Sequence, residues 1–131
     1  MFKHLFGFYF SMDDKVTLKE IKNKIQKFCE ARDWDQFHNA KDLAIGVSTE
    51  ASELLEHFRF KSDKEIELLF SNNDTRNAIG SEMADVLWFL SRLAQRYNFD
   101  LSNELTKVIE KNEKRYSVDK IKGSNKKYTE I

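Results

Sequence analysis

The 131-residue sequence contains no proline, four glycines and one cysteine, Cys29. Proline interrupts helices and glycine weakens them, so their scarcity leaves long helices unobstructed. A lone cysteine excludes an intramolecular disulfide and fits a reducing compartment. Together with three scattered histidines, it also cannot complete a cysteine–histidine zinc site.

The sequence also lacks an excess of either charge and a long hydrophobic segment. Its 22 Lys and Arg residues balance 22 Asp and Glu residues, so there is no general positive field for nucleic acid. The aromatic run at residues 1–10 is too short to cross a bilayer and lacks the cleavage site of a signal peptide. We therefore expect no nucleic-acid partner, no membrane partner and a cytoplasmic location.

Three regions are expected along the chain. Residues 1–16 are interpreted as an N-terminal extension, either flexible or introduced by cloning or an alternative start, because Met12 offers a second start before the helical pattern begins. The alternative is an aromatic arm that packs on a neighbouring subunit. Residues 17–116 are expected to form one helical domain, and residues 117–131 a basic tail.

Apolar residues recur with the spacing of amphipathic helices, and the alternation typical of strands is missing. Thr17 with Glu20, and Ser62 with Glu65, form capping boxes that mark two helix starts. Helices are predicted at about 17–32, 41–58, 62–70, 75–97 and 100–116, with Asn98 as a C-terminal cap. An all-α, four-helix-bundle-like protomer follows.

Two acidic pairs carry most of the functional information. Glu50 and Glu53 lie on one predicted helix, Glu82 and Asp85 lie on another, and the i, i+3 spacing puts each pair on one helix face. Packing the two helices together would gather four carboxylates, whose repulsion requires a cation. Oxygen ligands suit Mg²⁺, which usually accompanies phosphates.

A helical wheel places Glu50 and Glu82 at the edge of the apolar stripe, and neither has a basic residue at i±4. Gly46, one turn before Glu50, is expected to leave space where a ligand could approach. The alternative is that i, i+3 acidic pairs occur by chance on helix surfaces. Because two such pairs occur on the two most regular helices, a metal site and a chance arrangement are about equally compatible with this pattern.

Further motifs accompany the acidic pairs, which are separated by 28 residues. RDWDQFH occupies Arg32–His38, FRFKSD occupies Phe58–Asp63, KNEKRY occupies Lys111–Tyr116, and GSNKKYTEI ends the chain. This combination resembles the MazG-like family of all-α nucleoside triphosphate pyrophosphatases, and most closely its dCTP pyrophosphatase branch. The similarity extends from about Leu18 to Ile131.

The resemblance implies Mg²⁺-dependent hydrolysis of (deoxy)nucleoside triphosphates to monophosphate and pyrophosphate, which cleans the nucleotide pool. It also implies a homotetramer arranged as a dimer of dimers. Glu50, Glu53, Glu82 and Asp85 are the expected metal ligands, and Glu50 and Glu53 the expected catalytic residues. Glu53 is the candidate for orienting or deprotonating the attacking water.

The resemblance also suggests a set of substrate-binding residues, namely Trp34, Phe60, Phe89, Lys111, Asn112, Arg115, Tyr116 and Lys126. The aromatic residues would surround the base, and the cations would bind the phosphates. Phe60 replaces a tryptophan of the family, Phe89 a tyrosine and Ile25 a histidine. Because these changes weaken hydrogen-bond readout of the base, broad dNTP specificity that includes dCTP is as compatible with the sequence as strict dCTP specificity.

Two other functional classes compete with this interpretation. A di-iron carboxylate bundle would require Glu-x-x-His motifs, which neither acidic pair provides. A helical nucleotide-binding or interaction module with little turnover would keep the fold without the activity. Independently, wide apolar helix faces and the cluster of Phe58, Phe60 and Phe70 favour an oligomer. His38 is interpreted as structural, and Trp88 as a packing or subunit contact.

Overall fold

The computed structural model describes residues 11–131, and within that range all regular structure is helical. The α-helices are α1 (Leu18–Glu30), α2 (Ala40–Glu56), α3 (Asp63–Ser71), α4 (Asn73–Arg96), α5 (Leu101–Arg115) and α6 (Val118–Ile121). Single 3-10 turns occur at Met12–Asp14, Asp35–Phe37 and Tyr128–Glu130. The predicted all-α class is therefore confirmed, while the interpretation of residues 1–10 lies outside the described residues.

In the part of the chain that the structure describes, no helix combines the length and the apolar character needed to span a membrane.

Local hydrogen bonds explain where the helices begin. Both predicted capping boxes form: the Thr17 hydroxyl accepts from the Glu20 backbone N–H, and the Ser62 hydroxyl accepts from that of Glu65. The side chain of Asn72 accepts from the backbone N–H groups of Asp74 and Thr75, so α4 begins two residues before its predicted start. Each cap satisfies a backbone donor that would otherwise lack a partner.

Asn98 ends α4 as predicted. Its φ of 57° lies in the left-handed region, which asparagine tolerates better than most residues, and it follows the last helical turn directly. The Asp100 side chain then accepts from the backbone N–H of Asn103 and starts α5. The turn between these helices is therefore specified by two short polar side chains.

The described chain separates into two compact units, one ending at Tyr97 and the other beginning at Asn98. In the first unit, α4 is central and packs against α1, α2 and α3, most extensively against α2. The buried apolar residues of the core are Ile25, Cys29, Leu43, Ile79 and Ala94. A hydrogen bond of 2.8 Å from the Ala40 backbone N–H to the Tyr97 hydroxyl joins the start of α2 to the end of α4.

The second unit, Asn98–Ile131, contains α5 and the tail. The tail includes α6 and a final 3-10 turn, neither of which the sequence pattern indicated. Tyr128 packs edge-on against Tyr116, with ring centroids 6.1 Å apart, and the Arg115 guanidinium carbon lies 4.3 Å from the Tyr128 ring centroid. The tail is thus folded onto the end of α5. The predicted domain limits and the four-helix bundle stay predictions.

A buried arginine fastens the connector between α1 and α2 to α4. Arg92 is 0% exposed and donates hydrogen bonds to the Asp35 carboxylate, to Gln95 Oε1 and to His38 Nδ1, the last at 3.0 Å. Arg96, one turn later, lies 3.3 Å from the other oxygen of Asp35. Because a buried charge is strongly destabilising without a counter-charge, these contacts hold the connector in place.

The His38 ring contacts two indole rings. Its ring centroid is 6.0 Å from that of Trp34 and 5.9 Å from that of Trp88, both in edge-to-face geometry. Trp88 also packs edge-on against Phe89 at 5.0 Å. These contacts agree with the structural interpretation of His38 and the packing interpretation of Trp88.

We expect Asp35→Asn to lower the free energy of unfolding by about 2 kcal/mol, because it removes the counter-charge of a fully buried guanidinium. Because the Asp35 side chain is 41% exposed, solvent screens its charge, and the expected loss of unfolding free energy is smaller than for a fully buried ion pair. Chemical denaturation measures the change. Asp33→Asn, in the same connector, is the control, because Gln36 can still donate a hydrogen bond to the amide oxygen. An equal loss of unfolding free energy in both variants would contradict the role of Asp35 as the counter-charge of Arg92.

The protonation of His38 makes the stability of the protein depend on pH. Burial, and then the charge of Arg92, lower the pKa of His38 from its ordinary value of 6.5; Asp35 opposes this effect and Arg96 adds to it. The unfolded chain therefore binds a proton more readily, so this contribution to stability is complete above pH 6.5 and declines as the pH falls below it. We expect His38→Asn, which keeps an acceptor for Arg92, to flatten the decline of Tm over that window relative to the parent protein. Parallel Tm curves would contradict this account.

Candidate metal and nucleotide site

The two acidic pairs lie on the two helices that pack most extensively against each other. Glu50 and Glu53 project from α2, and Glu82 and Asp85 from α4. One carboxylate oxygen from each of Glu50, Glu53 and Glu82 lies within 4.8 Å of the other two. Glu50 and Glu82 are half-buried and Glu53 is exposed, so the three residues form an acidic cluster with one open side. The structure thus brings together residues up to 32 positions apart in the chain.

Electrostatic repulsion is evident at the centre of the cluster. The pKa of Glu50 is raised, first by burial and then by the negative charges of Glu53, Asp85 and Glu82. Asp85 is exposed and outside the group of three close oxygens, although its charge still acts on Glu50. Carboxylate oxygens of three of the four predicted ligands therefore lie close together, and the fourth ligand, Asp85, interacts with Glu50 through its charge.

Little positive charge offsets these acids. His57 Nε2 lies 4.0 Å from Glu82 Oε1, a contact that is ionic only when the histidine is protonated. Among residues 11–131, no lysine or arginine forms an ion pair with Glu50, Glu53, Glu82 or Asp85. The donor set is all carboxylate oxygen, which is the ligand chemistry that Mg²⁺ prefers. The residues therefore fit a hard divalent cation.

The expectation that Gly46 leaves room for a ligand is wrong. A Cβ atom at this position would lie 2.7 Å from Cγ of Phe89 and nearer still to two other atoms of that ring. The ring occupies the space because α2 and α4 approach closely here, one turn before Glu50. Gly46 therefore serves helix packing, and Phe89 lies half-buried against the backbone of α2.

The predicted aromatic walls occupy separate places. Trp34 is 37% exposed and rests edge-on against Phe28, with ring centroids 5.6 Å apart. Phe60 is 92% exposed, has a φ of 61° and lies beneath the Arg59 guanidinium, 4.6 Å away. In residues 11–131, no ring contact joins Trp34, Phe60 and Phe89 to one another. Ile25, which replaces a histidine of the family, belongs to the buried core.

The predicted phosphate-binding residues all belong to the second unit. Lys111, Asn112 and Arg115 lie on the last turns of α5, and Tyr116 follows them as its C-terminal cap. Asn112 accepts a backbone hydrogen bond of 2.8 Å from Tyr116. Lys126 lies in the tail, where its backbone N–H donates to the Ser124 hydroxyl at 3.3 Å.

Sequence reasoning missed Arg92, Asp35 and His57. The sequence did indicate that Arg92 is unusual, because it is the one charged residue in the mostly apolar segment LWFLSRLA of α4. Its partners could not be identified, because Asp35 and His38 lie more than fifty residues away along the chain. The sequence pattern gave His57 no role, because its spacing of four residues from Glu53 does not match a Glu-x-x-His motif.

Comparison with known proteins agrees with this arrangement. The model of the MazG-like family matches residues 45–131. The chain is 35% identical to dCTP pyrophosphatase 1 of Rattus norvegicus over 122 residues, which is 93% of this chain and 72% of that protein. The Homo sapiens protein of the same name is 34% identical over the same shares.

A solved structure shows the same fold. A pyrophosphatase from Archaeoglobus fulgidus superposes with a TM-score of 0.69 at 31% identity, over 76% of this chain and 92% of that one. Sequence similarity and helical architecture therefore agree with the clustered carboxylates, and the resemblance noted from the sequence is confirmed. The chain belongs to the MazG-like family.

Proposed function

We propose that this chain is a Mg²⁺-dependent pyrophosphohydrolase that converts (deoxy)nucleoside triphosphates, dCTP among them, to the monophosphate and pyrophosphate. The observation that carries the proposal is the acidic cluster, with three carboxylate oxygens within 4.8 Å and no lysine or arginine paired with them in the described residues. The pyrophosphatase relatives give the reaction class.

Glu50, Glu53 and Glu82 would hold the metal, and Asp85 would add a ligand from the edge of the cluster. When bound, Mg²⁺ supplies the positive charge that offsets both these carboxylates and the phosphate oxygens of the substrate. The raised pKa of Glu50 reflects the repulsion that such a charge relieves. Glu50 and Glu82 are half-buried, which suits fixed ligands.

Glu53 is the proposed general base. It is the most exposed member of the close group, so a water molecule can reach its carboxylate. The carboxylate accepts a proton from that water molecule while the oxygen of the water forms a bond to the α-phosphorus. The bond between the α-phosphorus and the bridging oxygen breaks, and pyrophosphate leaves with the bonding electron pair.

Substrate binding would draw on two groups of residues. Lys111 and Arg115, one turn apart on α5 with Asn112 beside them, would bind the phosphates together with Tyr116 and Lys126. Trp34, Phe60 and Phe89 would contact the base by stacking, which tolerates different bases. Ile25 cannot donate or accept a hydrogen bond, so we propose broad dNTP specificity that includes dCTP.

We further propose that the enzyme is a homotetramer built as a dimer of dimers. Ile45 and Leu55 on α2, and Met83 on α4, are each more than half exposed in the single chain. Large apolar side chains exposed on adjacent helices usually mark interfaces between subunits. Sedimentation and small-angle scattering would determine the state.

The first test is pyrophosphate release from canonical dNTPs and NTPs, with Mg²⁺ and with EDTA. We expect release only with Mg²⁺, and a fall in kcat of about 100-fold or more for Glu53→Gln, because it removes the general base. Glu56→Gln is the matched control: it lies one turn further along α2, is exposed and pairs with Arg59 at 2.8 Å. Binding of nucleotide without release would favour a module with little turnover; equal loss in both variants would contradict the assignment of Glu53.

The second test uses stability in the absence of metal. The pKa of Glu50 is raised in the folded protein, so its ionisation destabilises the apoprotein increasingly as the pH rises above 4.5. We expect Glu50→Gln to raise the Tm of the metal-free protein at neutral pH and to reduce the additional stabilisation that Mg²⁺ gives the parent. A variant that is less stable without metal, or equally stabilised by Mg²⁺, would contradict the metal assignment.

A further inference from the structure

We propose that Arg92 is a positioning residue that fixes the orientation of Trp34 for stacking on the nucleotide base. The inference rests on the proposed function, in which Trp34 forms one wall of the base site. Arg92 lies on α4, after the acidic pair Glu82 and Asp85, and is not one of the proposed metal-binding or substrate-binding residues. The link from Arg92 to Trp34 passes through His38.

The contact between Arg92 and His38 is directional. Arg92 Nε donates to His38 Nδ1 at 3.0 Å, so Nδ1 must carry a lone pair and the neutral ring must hold its proton on Nε2. The other nitrogens of Arg92 are bonded to Asp35 and Gln95. With Arg92 fully buried and engaged on three sides, its guanidinium can hold His38 in one orientation.

His38 transmits that orientation to Trp34. The two rings meet edge to face with centroids 6.0 Å apart, and the Phe28 ring also contacts Trp34, with centroids 5.6 Å apart. The Trp88 ring also contacts the His38 ring, with centroids 5.9 Å apart. Trp34 thus contacts two rings, while 37% of its surface remains exposed. A ring that is held in place and partly open is suited to stacking, because little rotational freedom is lost when a base binds.

Stability alone gives a weak reason for this arrangement. Replacing a buried ion pair with apolar side chains of similar size is often neutral or stabilising, so burial of Arg92 is not required for a tight core. Asp35 also has a second cation, Arg96, at 3.3 Å. Of these two arginines, only Arg92 donates a hydrogen bond to the His38 ring, since Arg96 donates to the His38 backbone carbonyl.

The test compares the parent enzyme with Arg92→Met, which keeps the length of the side chain and removes the donors. For dCTP and other dNTPs we expect KM to rise about tenfold with kcat nearly unchanged, the size typical of losing one base–aromatic stack. For a deoxyribose triphosphate that lacks a base, KM should not change. Equal changes for the two kinds of substrate would show a general structural effect and overturn the proposal, as would an unchanged KM for every nucleotide.

A second readout does not depend on activity. In protein labelled with fluorotryptophan, the fluorine NMR signal of Trp34, assigned with Trp88→Phe, should shift or broaden in Arg92→Met. Arg96→Met is the matched control, because Arg96 touches Asp35 and backbone carbonyls but not the His38 ring; its Trp34 signal should stay near that of the parent. An unchanged Trp34 signal in Arg92→Met would overturn the positioning role.

The same set of variants separates this inference from the proposed function. If the parent releases no pyrophosphate, the proposed function fails, while the NMR signal still decides whether Arg92 orients Trp34. If Trp34→Ala leaves every KM unchanged, Trp34 is not part of the base site, and the proposal for Arg92 is overturned with it.

Discussion

The close approach of α2 and α4 is the constraint on which the rest of the structure depends. The backbone of α2 at Gly46 meets the ring of Phe89 on α4, at a place where even one methyl group would collide. One turn further along, the same pair of helices brings Glu50 and Glu53 to Glu82. The distance between the helices thus sets both the packing of an aromatic ring and the spacing of the acidic oxygens.

This helix packing causes electrostatic repulsion between the carboxylates of the acidic cluster. Carboxylates held within a few ångströms on rigid helices cannot relax apart, and burial of Glu50 adds to the unfavourable energy. The energy that offsets this repulsion comes from the packing of α4 against α1, α2 and α3. A divalent cation bound by these carboxylates would relieve the repulsion.

Much of this could be predicted from local sequence. The capping boxes at Thr17 and Ser62 and the left-handed Asn98 depend on residues within one turn, so the sequence was sufficient to place them. The acidic pairs could be assigned to one face of each helix from their spacing alone. The common feature is that each of these predictions involves contacts between near neighbours in the chain.

What could not be predicted depends on contacts across the fold. Gly46 was expected to admit a ligand, yet only the packed helices show that Phe89 fills the space. The partners of Arg92 and the separation of Asp85 from the three close oxygens depend in the same way on how two helices are placed. The α6 helix was missed for a different reason: four residues are too few to establish a periodic pattern.

Phe60 adopts a backbone conformation that its residue type disfavours. Its φ of 61° is costly for a bulky residue, and its ring is almost entirely in water, so neither local geometry nor burial explains a phenylalanine there. Glycine or asparagine would relax the backbone and lose no core contact. Selection for thermostability alone should therefore replace Phe60 early. If selection for activity instead retains phenylalanine at this position, the residue contributes to the active site of the enzyme.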